Sequence, residues 1–159
     1  MKVLVVYDSV YGNTEKIAVA VGGAFTQTDD VRVLPAVDAG LPDLEPVDLL
    51  IVGSPTQAGR PVKGVKTFLE KIPPGILQNT GIASFDTRIS EQDSGFWVRL
   101  VLIFFGYAAG RIEKKLTAKG GYPVTGPEGF IVEGTEGPLK EGELERAADW
   151  GNRVRESLN

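Results

Sequence analysis

Apolar residues follow two rhythms along this chain. Five short runs are almost solidly apolar, at residues 3–7, 31–34, 48–53, 81–85 and 130–132. Runs of this length read as strands, and the third, 48–53, is apolar on both faces as in a covered parallel sheet. Between them the apolar residues recur at helical spacing. Residues 15–25 place Ile17, Val21, Ala24 and Phe25 on one face. A second helix opens at Pro61, with Val62, Val65, Phe68, Leu69 and Ile72 inward, and Pro73-Pro74 stops it. A long segment reaches Lys119 and is helical at least from Gly106. The last helix carries Leu144, Ala147, Ala148, Val154 and Leu158. Alternating strands and helices predict an α/β fold of three layers, a five-stranded parallel sheet between helices. No repeat or linker divides the chain, so residues 1–159 read as one domain.

One stretch fits this alternation poorly. Residues 94–106, Ser-Gly-Phe-Trp-Val-Arg-Leu-Val-Leu-Ile-Phe-Phe-Gly, carry one charge, Arg99. As a helix, Trp97, Leu100, Val101, Phe104 and Ala108 form one apolar stripe, and Val98, Leu102, Phe105 and Ala109 a second. An ordinary surface helix buries one stripe. Four readings are open. The helix is buried on two sides; it is a partner or homodimer surface over Phe96–Phe105; Phe96 or, better, Trp97 covers a bound ligand; or it touches a membrane surface.

Composition narrows the chemistry. The chain has 159 residues, 42% hydrophobic and 24% charged, with a net charge of −4. Mild acidity argues against nucleic acid or an anionic membrane as a partner, because phosphate backbones recruit basic faces. The longest apolar stretch is too short to span a bilayer, and no secretory leader is visible, so the expected location is the cytoplasm. There is no Cys and no His. That removes thiol nucleophiles, Cys-ligated metals and the usual general base. Chemistry near neutral pH then falls to a bound cofactor or to unusual carboxylates and lysines.

Three loops follow strand ends, where ligands gather in parallel α/β sheets. The first, Ser9-Val10-Tyr11-Gly12-Asn13-Thr14, runs from a strand into a helix. Its hydroxyls and backbone N–H groups at a helix N-terminus make an anion site. It lacks Gly-Lys-Ser/Thr and Gly-x-Gly-x-x-Gly, so it is neither a triphosphate loop nor the dinucleotide fingerprint. A cradle without Lys or Arg suits a phosphate monoester held by hydrogen bonds alone. Taken by itself, the loop is equally a glycine turn with Thr14 or Asn13 as an N-cap. The second loop is Ser54-Pro55-Thr56-Gln57-Ala58-Gly59-Arg60-Pro61, whose small residues let a flat ligand approach the backbone and whose Gly59 permits positive φ. The third begins Phe85-Asp86-Thr87-Arg88, where Asp86 and Arg88 either meet a ligand or pair with each other.

Hydroxyl-x-hydroxyl-Gly-Asn-Thr after the first strand resembles the phosphate loop of the flavodoxin family. Gly-Ser-Pro-Thr followed by Gly resembles its second loop, and Phe-Asp-Thr-Arg the third loop of one branch. Gly106-Tyr107-Ala108-Ala109 and residues 130–139 and 142–150 match that branch as well. The resemblance implies strand order 2-1-3-4-5 and an FMN whose phosphate is held by Ser9, Val10, Tyr11, Gly12, Asn13 and Thr14. It places the flavin ring against Pro55, Thr56, Gln57, Ala58 and Gly59, with Phe85, Asp86, Thr87 and Arg88 at its pyrimidine edge. Many relatives carry an aromatic residue near Gln57, and Trp97 is its candidate replacement. The implied function is electron transfer between a reductase and an acceptor protein. Two alternatives stand beside it: a flavin-dependent reductase of a quinone or porphyrinogen, and a fold module that binds partners without cofactor.

Overall fold

In this computed structural model residues 1–25, 27–92 and 94–158 are described, residues 103–105 by their backbone only. Strand β1 (Lys2–Tyr7) runs parallel to β2 (Asp30–Pro35) on one side and to β3 (Leu49–Gln57) on the other. The two-residue β4 (Arg60–Pro61) folds back on β3, which also pairs in parallel with β5 (Gly81–Ile89). The position beyond β5 is shared by β6 (Tyr122–Pro123) and β7 (Glu128–Val132). The expected order 2-1-3-4-5 is therefore observed, with the fifth position split in two and a hairpin added, which makes seven strands. The split falls at residues 124–127, Val-Thr-Gly-Pro, where Pro127 has no N–H to donate.

Strand periodicity sorts the core into two. Leu4, Val6, Leu50, Val52 and Ile82 face one side, against α2 (Lys63–Lys71) and α4 (Ala108–Ala118). Val3, Val5, Leu49, Ile51, Ala83 and Phe85 face the other, against α1 (Asn13–Gly23) and α5 (Glu143–Glu156). Trp150, Phe85 and Phe130 stand edge to face there, with centroids 6.0–6.1 Å apart. Phe85 fills the space a side chain at Gly53 would need: an added Cβ would lie 2.0 Å from its ring. The three layers follow from two apolar faces on each central strand, each requiring its own helical cover.

Several boundaries differ from the sequence reading. Strand β3 runs past Gly53 through Ser54, Pro55 and Thr56 to Gln57, so these residues are strand rather than loop. Strand β5 continues through Asp86, Thr87 and Arg88 to Ile89, because β7 offers backbone partners from Phe85↔Glu128 to Ile89↔Val132. These residues are strand rather than loop. The second helix begins at Lys63, with Val62 as N-cap, and Pro61 belongs to the hairpin. The hairpin turn is Ala58-Gly59 with φ of 48° and 75°, positive at both central positions as a type I′ turn requires.

The apolar segment forms α3 (Phe96–Phe105), separated from α4 by a break. Gly106 takes φ 69°, and its N–H donates to the Leu102 carbonyl at 2.9 Å. The two stripes therefore do not run on into Ala108 and Ala109, which are buried on α4. Among the described side chains of α3 none is buried, and Phe96, Trp97 and Val98 are 70%, 77% and 51% exposed. This overturns the reading of a helix covered on two sides. Phe104 and Phe105 lie outside the described side chains.

Candidate functional site

The first loop joins β1 to α1 at the carboxyl end of the sheet. The Asp8 N–H donates to the Gly53 carbonyl at 3.2 Å, and the Ser9 N–H to Asp8 Oδ1 at 2.8 Å. Gly64 leaves room for that carboxylate: a Cβ there would meet Asp8 Oδ2 at 2.2 Å. Gly12 is the N-cap of α1 with φ 86°, and no side chain caps the helix. The N–H groups of the first turn have no partner within a helix by construction. The Ser9 hydroxyl is buried without any hydrogen-bond partner. Uncapped N–H groups and an orphaned hydroxyl converge on one place, and the loop carries no cation.

These residues line a cleft of about 140 Å³. Ser9, Val10, Tyr11, Asn13 and Thr14 form one wall; Pro55, Thr56 and Gln57 form another; Thr87, Ile89, Val132 and Thr135 complete it. Thr14 Oγ1 and Thr87 Oγ1 share a buried hydrogen bond of 2.8 Å, which locks the first loop to β5. The Asn13 amide donates to the Glu136 carbonyl at 3.0 Å. It thereby holds the 134–137 turn, and Thr135 with it, at the rim. Nothing in the sequence pattern of residues 134–137 shows that they fold back over the first loop. Ile89 and Val132 were missed because β5 was ended four residues early.

Four proposed residues lie in a neighbouring cavity of about 350 Å³. Ala58, Gly59, Arg88 and Trp97 line it with Val98, Val101, Leu102 and Tyr107, while Thr56 and Ile89 line both spaces. Phe85 reaches neither, since its ring is core. Asp86 reaches neither as well. Its carboxylate is wholly buried and accepts from Arg88 Nε at 2.5 Å, Arg88 Nη2 at 2.8 Å and the Ala109 N–H at 2.9 Å. The Thr56 hydroxyl accepts from the neighbouring Ala108 N–H at 3.0 Å. Asp86 and Thr56 together cap α4 from the sheet. Asp86 and Arg88 thus pair as one of the two sequence readings had it, but inside rather than at the surface. Burial pushes the Asp86 carboxyl above its ordinary pKa, with Arg88 pulling against it. The Arg88 guanidinium lies 3.5 Å over the Tyr107 ring, and the Tyr107 hydroxyl donates to Glu91. Burial, then Glu91, pushes the Tyr107 pKa up to about 12.

The donor set of the cleft suits the phosphate end of a flavin nucleotide. The orphaned Ser9 hydroxyl and the uncapped α1 N-terminus both await an acceptor, and an anion at a helix N-terminus needs no side-chain cation. Among the described residues no group of carboxylates could hold a metal ion.

The family model for flavodoxin matches residues 5–150. No curated protein matches the chain. Among solved structures, oxidised flavodoxin 1 from Bacillus cereus superposes with a TM-score of 0.77 at 20% identity, covering 98% of both chains. A flavodoxin from the domain Archaea gives 0.71 at 22% identity over 99% of each. Oxidised flavodoxin 2 from Bacillus cereus gives 0.75 at 21% identity, over 98% of this chain and 99% of that one. With the cleft, the uncapped α1 N-terminus and a family match over most of its length, this chain belongs to the flavodoxin family of flavin-binding electron-transfer proteins.

Proposed function

We propose that the chain binds FMN in the cleft between the first loop and the β3–β4 hairpin, and carries electrons between a reductase and an acceptor protein in the cytoplasm. The observation that carries this reading is the buried, unpartnered Ser9 hydroxyl beside an uncapped helix N-terminus. Ser9, the Thr14 backbone and their neighbours bind and orient the phosphate. Thr87 holds Thr14 in place, and the Asn13–Glu136 tie closes the rim. Pro55, Thr56 and Gln57 present the wall against which a flat ring rests. The flavin supplies the redox chemistry when bound, so no side-chain acid or base is required.

The test is titration of purified protein with FMN and with riboflavin, followed by visible absorbance and flavin fluorescence. FMN binds and riboflavin binds at least tenfold more weakly, since hydrogen bonds to a charged group contribute about 1.5–3 kcal/mol each. Absence of FMN binding overturns the proposal and leaves the cofactor-free module. A second reading draws on the larger cavity, which adjoins the cleft through Thr56 and Ile89. That space suits a flat apolar substrate, and the chain would then reduce a quinone or porphyrinogen. Quinone turnover with NAD(P)H by the purified protein alone favours it; dependence on a separate reductase favours the carrier.

A further inference from the structure

Helix α3 presents Phe96, Trp97 and Val98 to solvent. Arg99, also exposed, is the one charged residue between Phe96 and Ala109. An exposed apolar row of this kind marks a contact. The charges around it indicate with what. Strand β4, helix α2, and helix α4 with its C-cap Lys119 carry eight of the chain's 17 cations and two of its 21 acids, a net +6 that leaves −10 for the remainder. A groove between α2 and α4, lined also by Pro61, Leu69, Glu70 and Arg111, is bordered by Arg60, Lys66 and Lys115. None of these three forms an ion pair with a described residue. Arg60 directly follows Ala58 and Gly59, the hairpin tip that lines the cavity under Trp97, Val98, Val101 and Leu102. The apolar helix and the basic face thus meet at one hairpin.

We propose that α3 is an interfacial anchor, which seats Phe96, Trp97 and Val98 in the headgroup region of an anionic bilayer while the α2–α4 face meets lipid phosphates. An apolar helix beside basic residues is the pattern of in-plane membrane binding, and tryptophan favours that depth. A second copy of the chain would cover the apolar row but would bring two +6 faces toward each other across a twofold contact. An acidic protein would match the charge but not a Phe-Trp-Val row without acidic or amide neighbours on its helix. No described helix is long and apolar enough to cross a membrane, so the contact is one of surface. This inference does not rest on the flavin reading. Its consequence is that the cleft, which shares Thr56 and Ile89 with the cavity under α3, is held at the bilayer.

The test is flotation of the full chain with phosphatidylcholine vesicles, pure or containing about one third phosphatidylglycerol. Trp150 is buried in the core, so a blue shift of tryptophan emission on adding vesicles reports Trp97. The protein floats with the anionic vesicles and its emission shifts, and both effects are reversed by high salt. The double variant Phe96→Ser/Val98→Ser loses flotation while keeping the parent Tm, since both residues are exposed. Lys66→Glu and Lys115→Glu each weaken partitioning on the order of fivefold or more. No flotation at low salt overturns the proposal. So does a Phe96→Ser/Val98→Ser variant that floats like the parent. So does a concentration-dependent dimer whose Trp97 emission ignores vesicles, which would assign α3 to a second copy.

Discussion

Asp86 shows how one side chain can look like ligand chemistry and serve the fold. Its position after an apolar strand suggested a carboxylate facing the cofactor. The carboxylate instead holds Arg88 and the Ala109 N–H inside the protein, because α4 starts where β5 ends and its first N–H groups need acceptors. Asp86→Ala strands the guanidinium and one buried N–H together. Removing one partner of a buried pair costs about 3–5 kcal/mol, so chemical denaturation of D86A should show a loss of that order. A loss under ~1 kcal/mol would mean that water readily replaces the carboxylate. Ser9 predicts the opposite profile. Its hydroxyl has no partner in the protein, so Ser9→Ala should leave Tm unchanged or slightly raised. FMN affinity should fall about tenfold, by the loss of one hydrogen bond to a charged acceptor. Parallel thermal melts and FMN titrations of S9A check both halves.

At the scale of elements, the hairpin and the central sheet carry the next predictions. Ala58 occupies φ 48°, where a Cβ costs roughly 1–2 kcal/mol unless the side chain bonds locally. Ala58→Asn creates Asn-Gly, the preferred type I′ pair, and should stabilise by about 0.5–1 kcal/mol, read as a raised denaturation midpoint. An unchanged or lowered midpoint would show that the turn relaxes out of the positive-φ conformation. Gly53 is the reverse case. A methyl there collides with Phe85, which Phe130 and Trp150 hold from two sides, so Gly53→Ala should destabilise by about 3 kcal/mol or more. The elements themselves were mostly legible because each central strand is apolar on both faces and each helix shows one stripe. The misread boundaries have a common cause. Residues 86–89, 54–57 and 60–61 are polar or turn-forming in sequence, yet they are strand because a partner strand supplies hydrogen bonds that periodicity does not record. Likewise the first loop was legible as an anion site from its hydroxyls, glycine and position. Thr135 was not, because only folding brings the 134–137 turn onto Asn13.

For the whole molecule, a net charge of −4 conceals an uneven distribution. The cations at residues 60–71 and 111–119 are far apart in sequence and become one face only when α2 and α4 pack on the same side of the sheet. The acidic remainder has its own organising point at Glu143, where α5 meets β7. Glu143 accepts from the Ile131 N–H at 2.6 Å and from Arg146 at 2.7 and 2.9 Å. Arg146 also reaches Glu128 at 3.0 Å and lies over the Phe130 ring. Burial pushes the Glu143 carboxyl up, but Arg146, the Ile131 N–H and Lys140 together outweigh it, and the net shift is below its ordinary 4.5. A carboxyl whose pKa is lowered by folding contributes stability that is fully present above its unfolded value and lost as pH falls through its folded value. Asp86, raised by burial, contributes with the opposite sign, since its native form holds a proton more readily than its unfolded form. Glu143→Gln removes the titrating group while keeping an acceptor for the Ile131 N–H. The variant should therefore be less stable than the parent near neutrality and converge on it as pH falls below about 4.5, so that its Tm curve is flatter between about pH 3 and pH 7. Thermal melts of parent and E143Q across that range decide it. Parallel curves with a constant offset would mean that Glu143 holds β7 to α5 by shape and hydrogen bonding, with no contribution from its charge.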